Sequence, residues 1–152
     1  MSVDAIPLTE LRSQEGRELG PSSWHPITQD DIDVYAELTG DDNPIHVDAE
    51  KAAASPYGGR IAHGMLTLSM VVRPLREIYR VSGASTGIVY GFDRIRFPSA
   101  VPSGANIRLR GTIAKVEERP DAVQVTLALT FEVEGGGDKP AAVAELVLRH
   151  FR

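Results

Sequence analysis

The chain has 152 residues, 42% of them hydrophobic and 24% charged, which are the proportions of one globular domain with a proper core. A net charge of -5 excludes a general nucleic-acid binder, which carries a basic excess, and the absence of cysteine excludes disulfides, thiol nucleophiles and Cys-ligated metals. The longest apolar run, Met65 to Val72, is interrupted by Thr67 and Ser69 and falls far short of the ~20 residues of a membrane span.

The first twenty residues carry acidic groups early and lack a signal-peptide core, so a cytoplasmic protein with no membrane partner is expected. They are read as an N-terminal extension without an assigned role, inside a single domain over 1–152. Thr28 and Asp31 then form a capping-box pattern, with Asp in place of the usual Glu or Gln. Ile32, Tyr35 and Ala36 recur at helical spacing, and Gly40 is placed to stop that helix. The stretch GDDNPIHVD, 40 to 48, reads as a loop leaving the helix C-terminus; DAEKAAAS reads as a short helix and PYGGR as a turn.

The strongest helix pattern opens at Gly64 and runs to about residue 81. Met65, Leu66, Leu68, Met70, Val71 and Val72 wrap most of its circumference, which predicts burial on nearly all sides. Pro74 predicts a kink or a restart. Four strands follow, in TGIVYGFDRIRF, ANIRLRGTIAKVEE, the alternating run from Val123 to Val133, and AAVAELVLRHF; EGGGD at 134–138 is a loop between two of them. The alternation slips near Gly91 and Gly111, where bulges are expected. Four long strands after one apolar helix predict an α+β fold, a curved antiparallel sheet wrapped round that helix. The sheet's bare outer face predicts a dimer.

Asp41 and His46 lie five residues apart with Pro44 between them, a spacing that no regular helix accommodates. The chain must turn to bring the imidazole beside the carboxylate, and Asn43 is a natural residue to stabilise that turn. Such a pair can hold one water and exchange its protons, which is general acid–base work. Adding water to an enoyl thioester also needs a sink for charge on the carbonyl oxygen. Gly64, opening the apolar helix, offers an unpaired N–H with no side chain in the way. His63 is read mainly as a structural residue at the helix start, and His25 and His150 as residues without a partner. Asp41, His46 and His63 lack the paired spacing of a helix-borne zinc site, so no metal is assigned.

The stretch YAELTGDDNPIHVDAEKA, 35 to 52, resembles the signature of the MaoC-like (R)-specific enoyl-CoA hydratases, the hydratase-2 group. Tyr35, Leu38, Thr39, Gly40, Asp41, Asn43, Pro44, Ile45, His46 and Ala52 fill the pattern without a gap. IAHGMLTLSMV and RIRFPSAVPSG are similar to the start of the family's central helix and to the turn after its next strand. The resemblance implies a hot-dog fold and a homodimer. It also implies reversible hydration of trans-2-enoyl-CoA to (R)-3-hydroxyacyl-CoA without metal or redox cofactor. By position it makes Asp41 and His46 the catalytic pair, Asn43 a support for the water or the loop, and the Gly64 N–H the oxyanion donor. Asp42 falls on the variable position. Weaker candidates for substrate contact are His63, Met65 and Tyr57, with Arg94 and Arg96 for the phosphates of CoA; alternating Arg94, Arg96, Arg108 and Arg110 otherwise read as a solvated sheet face. The same loop serves dehydration of acyl-carrier-protein thioesters. A hot-dog thioesterase places its carboxylate elsewhere, and a non-catalytic acyl-CoA binder predicts a decayed Asp or His, whereas both are intact.

Overall fold

The computed structural model describes residues 3–152. Its centre is a six-stranded sheet built on four long strands: β5 (Thr86–Arg96), β6 (Asn106–Glu118), β7 (Ala122–Val133) and β8 (Ala142–Phe151). Before them come β1 (Ile6–Pro7), a 3-10 helix (Leu8–Gln14), β2 (Glu18–Leu19), β3 (His25–Pro26), α1 (Gln29–Thr39), α2 (Pro44–Val47), α3 (Ala49–Ala53), α4 (Gly64–Ser69), α5 (Val72–Ile78) and β4 (Val81–Ser82). The sheet runs β2-β6-β7-β8-β5, with β3 also on β6, and every pairing in it is antiparallel. Among the described residues β5 pairs only with β8 and forms an edge.

The helical pair α4–α5 supplies one side of the core. Leu66, Leu68, Val71, Leu75 and Ile78 are buried in one cluster with Leu109, Ile113, Leu127, Phe131 and Leu146 of the sheet. Five such helix side chains contribute on the order of 10 kcal/mol of gross hydrophobic stabilisation. Helix against antiparallel sheet is the α+β arrangement that the element order predicts, and the hot-dog fold that the resemblance implies.

The N-terminal stretch packs into the domain: Leu8 and Leu11 are buried in the core, β1 lies parallel to β4, and β2 adds to β6. The central helix restarts, as Pro74 allows: it breaks at Met70 and resumes at Val72. Pro74 thereby falls on the third position of α5, within the first turn, where its missing N–H costs no helical bond. Two expectations need correction. This helix is not buried all round, because Met65 is 51% and Val72 43% exposed. Finally, β5 slips register at Gly91 as expected, but the slip in β6 comes between Ile113 and Lys115 rather than at Gly111. Gly111 stays in register opposite Leu129 and is small for another reason: a Cβ there would stand 2.7 Å from the Ala128 carbonyl oxygen.

Candidate active site

α1 is fixed at both ends. The Thr28 hydroxyl accepts from the Asp31 N–H while the Asp31 carboxylate accepts from the Thr28 N–H, closing the capping box. Gly40 ends the helix in the left-handed region, φ 77°, with its N–H donating to Ala36. Asp41 therefore emerges from a defined point. Asn43 is extended, as the following proline requires, and caps α2 by accepting from the Ile45 N–H at 3.3 Å. Pro44 opens that helix. His46 thus rides on a single helical turn, where a loop was expected.

His46 is buried, and its Nδ1 donates to the Ile61 carbonyl at 2.7 Å. A carbonyl can only accept, so Nδ1 carries a proton, and in the neutral imidazole the lone pair is on Nε2. His63, the residue before α4, donates from Nε2 to the Asp41 carbonyl at 2.9 Å and stacks on His46 with ring centroids 3.8 Å apart. A carboxylate oxygen of Asp41 and one ring nitrogen from each histidine lie within 4.8 Å of one another. No direct hydrogen bond joins the Asp41 carboxylate to His46, and a span of this size is one that a single water bridges.

The same three groups raise the question of a metal. One nitrogen of each histidine is already committed to a backbone carbonyl. The ring planes lie 30° apart with centroids 3.8 Å apart, so they meet well beyond the ~2.1 Å of a zinc–nitrogen bond. Stacked rings in this attitude do not converge on one ion.

Beside His46 opens a cavity of about 260 Å³, lined by His46, Tyr57, Gly64, Thr67, Phe97 and apolar neighbours. Gly64 begins α4, and among the described residues no protein acceptor engages its N–H. The space over its Cα is not open, however. A Cβ on Gly64 would meet Cδ2 and Cγ of Phe97 at 2.9 Å, so the phenyl ring packs directly on the glycine.

A family model for the MaoC-like domain matches residues 10–134. The chain belongs to the MaoC-like dehydratases. Among curated relatives, the 3-hydroxyacyl-thioester dehydratase Z of Mycobacterium tuberculosis is 41% identical over 144 residues, covering 94% of this chain and 95% of that one. The 3-hydroxybutyryl-CoA dehydratase of Methylorubrum extorquens is 32% identical, covering 95% and 79%. Among solved structures, the unliganded R-hydratase of Pseudomonas aeruginosa superposes with a TM-score of 0.71 at 25% identity, covering 97% and 87%. This MaoC-like protein is a hydro-lyase.

His46, Tyr57 and Gly64 line the cavity, while Asp41 and His63 cluster with His46 without lining it. Three other candidates fall in neither group. Met65 is half exposed and does not line the cavity. Arg94 lies in a separate groove on the outer sheet face with Glu18 and Arg110, and the Arg96 guanidinium donates to the Ile95 carbonyl beside it. Arg108 and Arg110 both pair with Glu132, and Arg108 also covers the Trp24 ring. His25 and His150, expected to lack partners, have them. His25 lies 2.6 Å from Glu77, whose carboxyl is pushed up by burial but lowered overall by its bonds to Ser23 and His25. His150 Nε2 shares a hydrogen bond of 2.9 Å with the Tyr79 hydroxyl; burial lowers the pKa of this imidazole and raises that of the phenol.

Two contributors to the site carried no signal in the sequence. The Gln29 amide donates to the His46 carbonyl at 2.8 Å and accepts from the Ser103 hydroxyl at 2.7 Å, tying α1 to α2 and to the turn after β5. Phe97 closes over Gly64. Both act across long sequence separations, where spacing is silent.

Proposed function

We propose that this hydro-lyase is an (R)-specific enoyl-CoA hydratase, converting trans-2-enoyl-CoA reversibly to (R)-3-hydroxyacyl-CoA. The observation that carries the reading is the meeting of an exposed carboxylate, Asp41, with a buried imidazole whose Nδ1 is held as a donor, leaving Nε2 free for a water. In the forward direction the pair takes a proton from water as the water oxygen bonds C3. A proton is then delivered to C2, so that the elements of water are added and none is left over. Charge developing on the thioester oxygen falls to the Gly64 N–H. Asn43 supports the loop as the cap of α2. No metal or redox cofactor takes part.

The cavity lies a little below the ~300–1,000 Å³ usual for ligand pockets, which supports an acyl group of few carbons between Tyr57 and Phe97. The name of the Mycobacterium tuberculosis relative supports a second reading, the same chemistry run as dehydration of a 3-hydroxyacyl thioester, on CoA or on a carrier protein. We further propose a homodimer. β5 is an unpaired edge exposing Ile88, Val89 and Tyr90, with Met65 and Val72 exposed on the helices, and a long apolar edge of this kind calls for cover.

The test is loss of enoyl-thioester absorbance with crotonyl-CoA and a medium-chain enoyl-CoA, coupled to an (R)-specific dehydrogenase. Rapid conversion to the (R)-alcohol, faster for the shorter chain, is expected. An (S)-product, or no conversion of either thioester in either direction, refutes the reading.

A further inference from the structure

We propose that His63 is the positioning residue of the catalytic pair, holding Asp41 by its backbone and His46 by its ring; the proposal rests on the hydratase reading above. Asp41 is exposed, and its own N–H has only a long contact, 3.4 Å, to the Thr39 hydroxyl. The short bond from His63 Nε2 to the Asp41 carbonyl is therefore the firmer anchor of the residue that carries the carboxylate. On its other side the same ring lies against His46 at 3.8 Å and 30°, fixing the plane in which the His46 lone pair points. Tyr35, from α1, backs His63 with a tilted ring 4.8 Å away.

What makes His63 a good reference point is the segment it belongs to. Ile61 accepts the His46 Nδ1–H, so residues 61 and 63 hold the two halves of the catalytic loop in common. That segment is pinned in turn: the Ala62 N–H donates to Val101 at 2.8 Å, the Ser103 N–H donates to Arg60 at 2.9 Å, and Ile61 bridges Pro102. Asp41 and His46 are thus registered against one fixed strip of backbone rather than against each other.

The second, independent observation is a defect. Since Nε2 must donate to a carbonyl, Nδ1 of His63 is a bare acceptor; it is buried and, among the described residues, has no hydrogen-bond partner. His63 is only 2% exposed. A side chain kept merely to fill this space has no need of a buried nitrogen with nothing to bond, because a phenyl ring would pack and stack without the penalty. The imidazole is explained by the work of its other nitrogen.

His63→Phe keeps the ring and its stack but removes the donor. His63→Gln removes the ring but returns an amide N–H near the place of Nε2. Because a misplacement of 1 Å at a reacting group can lower turnover ~100-fold, His63→Phe is expected to lower kcat by about 10–100-fold with KM within about threefold, and His63→Gln to recover part of that loss. The melting temperature of His63→Phe should not fall. A readout free of activity accompanies the kinetics: the Asp41 carbonyl carbon, which accepts from His63 Nε2, should change its carbon-13 shift in His63→Phe, while the His46 nitrogens, held by Ile61, keep theirs. Should His63→Phe fail to fold, His63→Asn, whose shorter amide cannot reach the Asp41 carbonyl, takes its place under the same criteria. Native kcat in the donor-less variant, with an unchanged Asp41 carbonyl shift, overturns the proposal. If the native protein hydrates no thioester, the hydratase reading fails, and the Asp41 carbonyl shift still decides for or against the positioning role.

Discussion

Adding one methyl group at Gly64 separates the two jobs assigned to that residue. In Gly64→Ala the new Cβ would stand 2.9 Å from the Phe97 ring, half an ångström inside the 3.4 Å at which ordinary contact begins. Overpacking of this kind costs about 1–3 kcal/mol in a closed core. Phe97 is 41% exposed and can swing outward, which puts the penalty at the low end of that range. Replacing glycine with alanine in a helix returns about 1 kcal/mol. Gly64 has no positive φ to oppose the change. The two effects nearly cancel, so the melting temperature should stay within about 4 °C of the native value. Activity should not stay. A displaced ring and a methyl beside the N–H both hinder the thioester oxygen, so kcat should fall, by at most the ~10²–10³-fold that complete loss of one oxyanion donor costs. Thermal melts and hydration of crotonyl-CoA, run on Gly64→Ala and on the double variant with Phe97→Ala, separate the effects. The double variant should regain room for the ring but not the unobstructed N–H. Native kcat in Gly64→Ala refutes the claim that the space over this N–H must stay clear, and a fall in melting temperature beyond about 10 °C refutes the claim that Phe97 can yield.

Thr28→Ala removes the hydroxyl side of the capping box on α1 and should lower stability by about 1 kcal/mol, read as a shift of the urea midpoint without a change of slope. His150 is held neutral by burial, so its imidazole has a lower pKa in the folded than in the unfolded chain. The unfolded state then takes up the proton first, and the stability tied to His150 is present above pH ~6.5 and lost as pH falls through that value toward the folded pKa. Melts of the native protein and of His150→Phe should accordingly draw together between pH 7.5 and 5; a gap that widens on acidification contradicts this. Gly111→Ala should be damaging, since its Cβ would lie 2.7 Å from backbone oxygen that cannot swing away, and a loss of about 1–3 kcal/mol is expected by denaturant titration.

Much of this molecule is legible in the chain because its decisive features are local. Thr28 with Asp31 marks where α1 begins and Gly40 where it stops. Pro44 forces the turn that returns His46 toward Asp41, and strict alternation marks β7. The features that escape are of three kinds. Strands of two residues, such as β1 to β4, are too short to show any period, and so the buried Leu8 and Leu11 pass for an extension. Pro74 is compatible with both a kinked helix and the first turn of a new one, and only tertiary packing decides in favour of α5. Contacts across the sheet leave no mark on spacing: the ring of Phe97 on Gly64, the Gln29 bridge from Ser103 to His46, and the Tyr79–His150 pair belong here. Arg94 and Arg96 stand apart from the cavity beside His46, a separation that strand alternation alone does not reveal.

The central claim is that Asp41 and His46 share one water and move its proton. It is tested most directly by the turnover of Asp41→Asn and His46→Gln with crotonyl-CoA, each checked by circular dichroism and thermal melting. Asp41 is exposed, so Asp41→Asn should melt near the native temperature; His46 is buried and bonded to Ile61, so His46→Gln should fold with a loss of about 1–3 kcal/mol. Each should lose at least the ~10²–10⁴-fold in kcat that a positioned acid or base supplies. A folded Asp41→Asn protein that turns over crotonyl-CoA at close to the native rate would contradict the account outright.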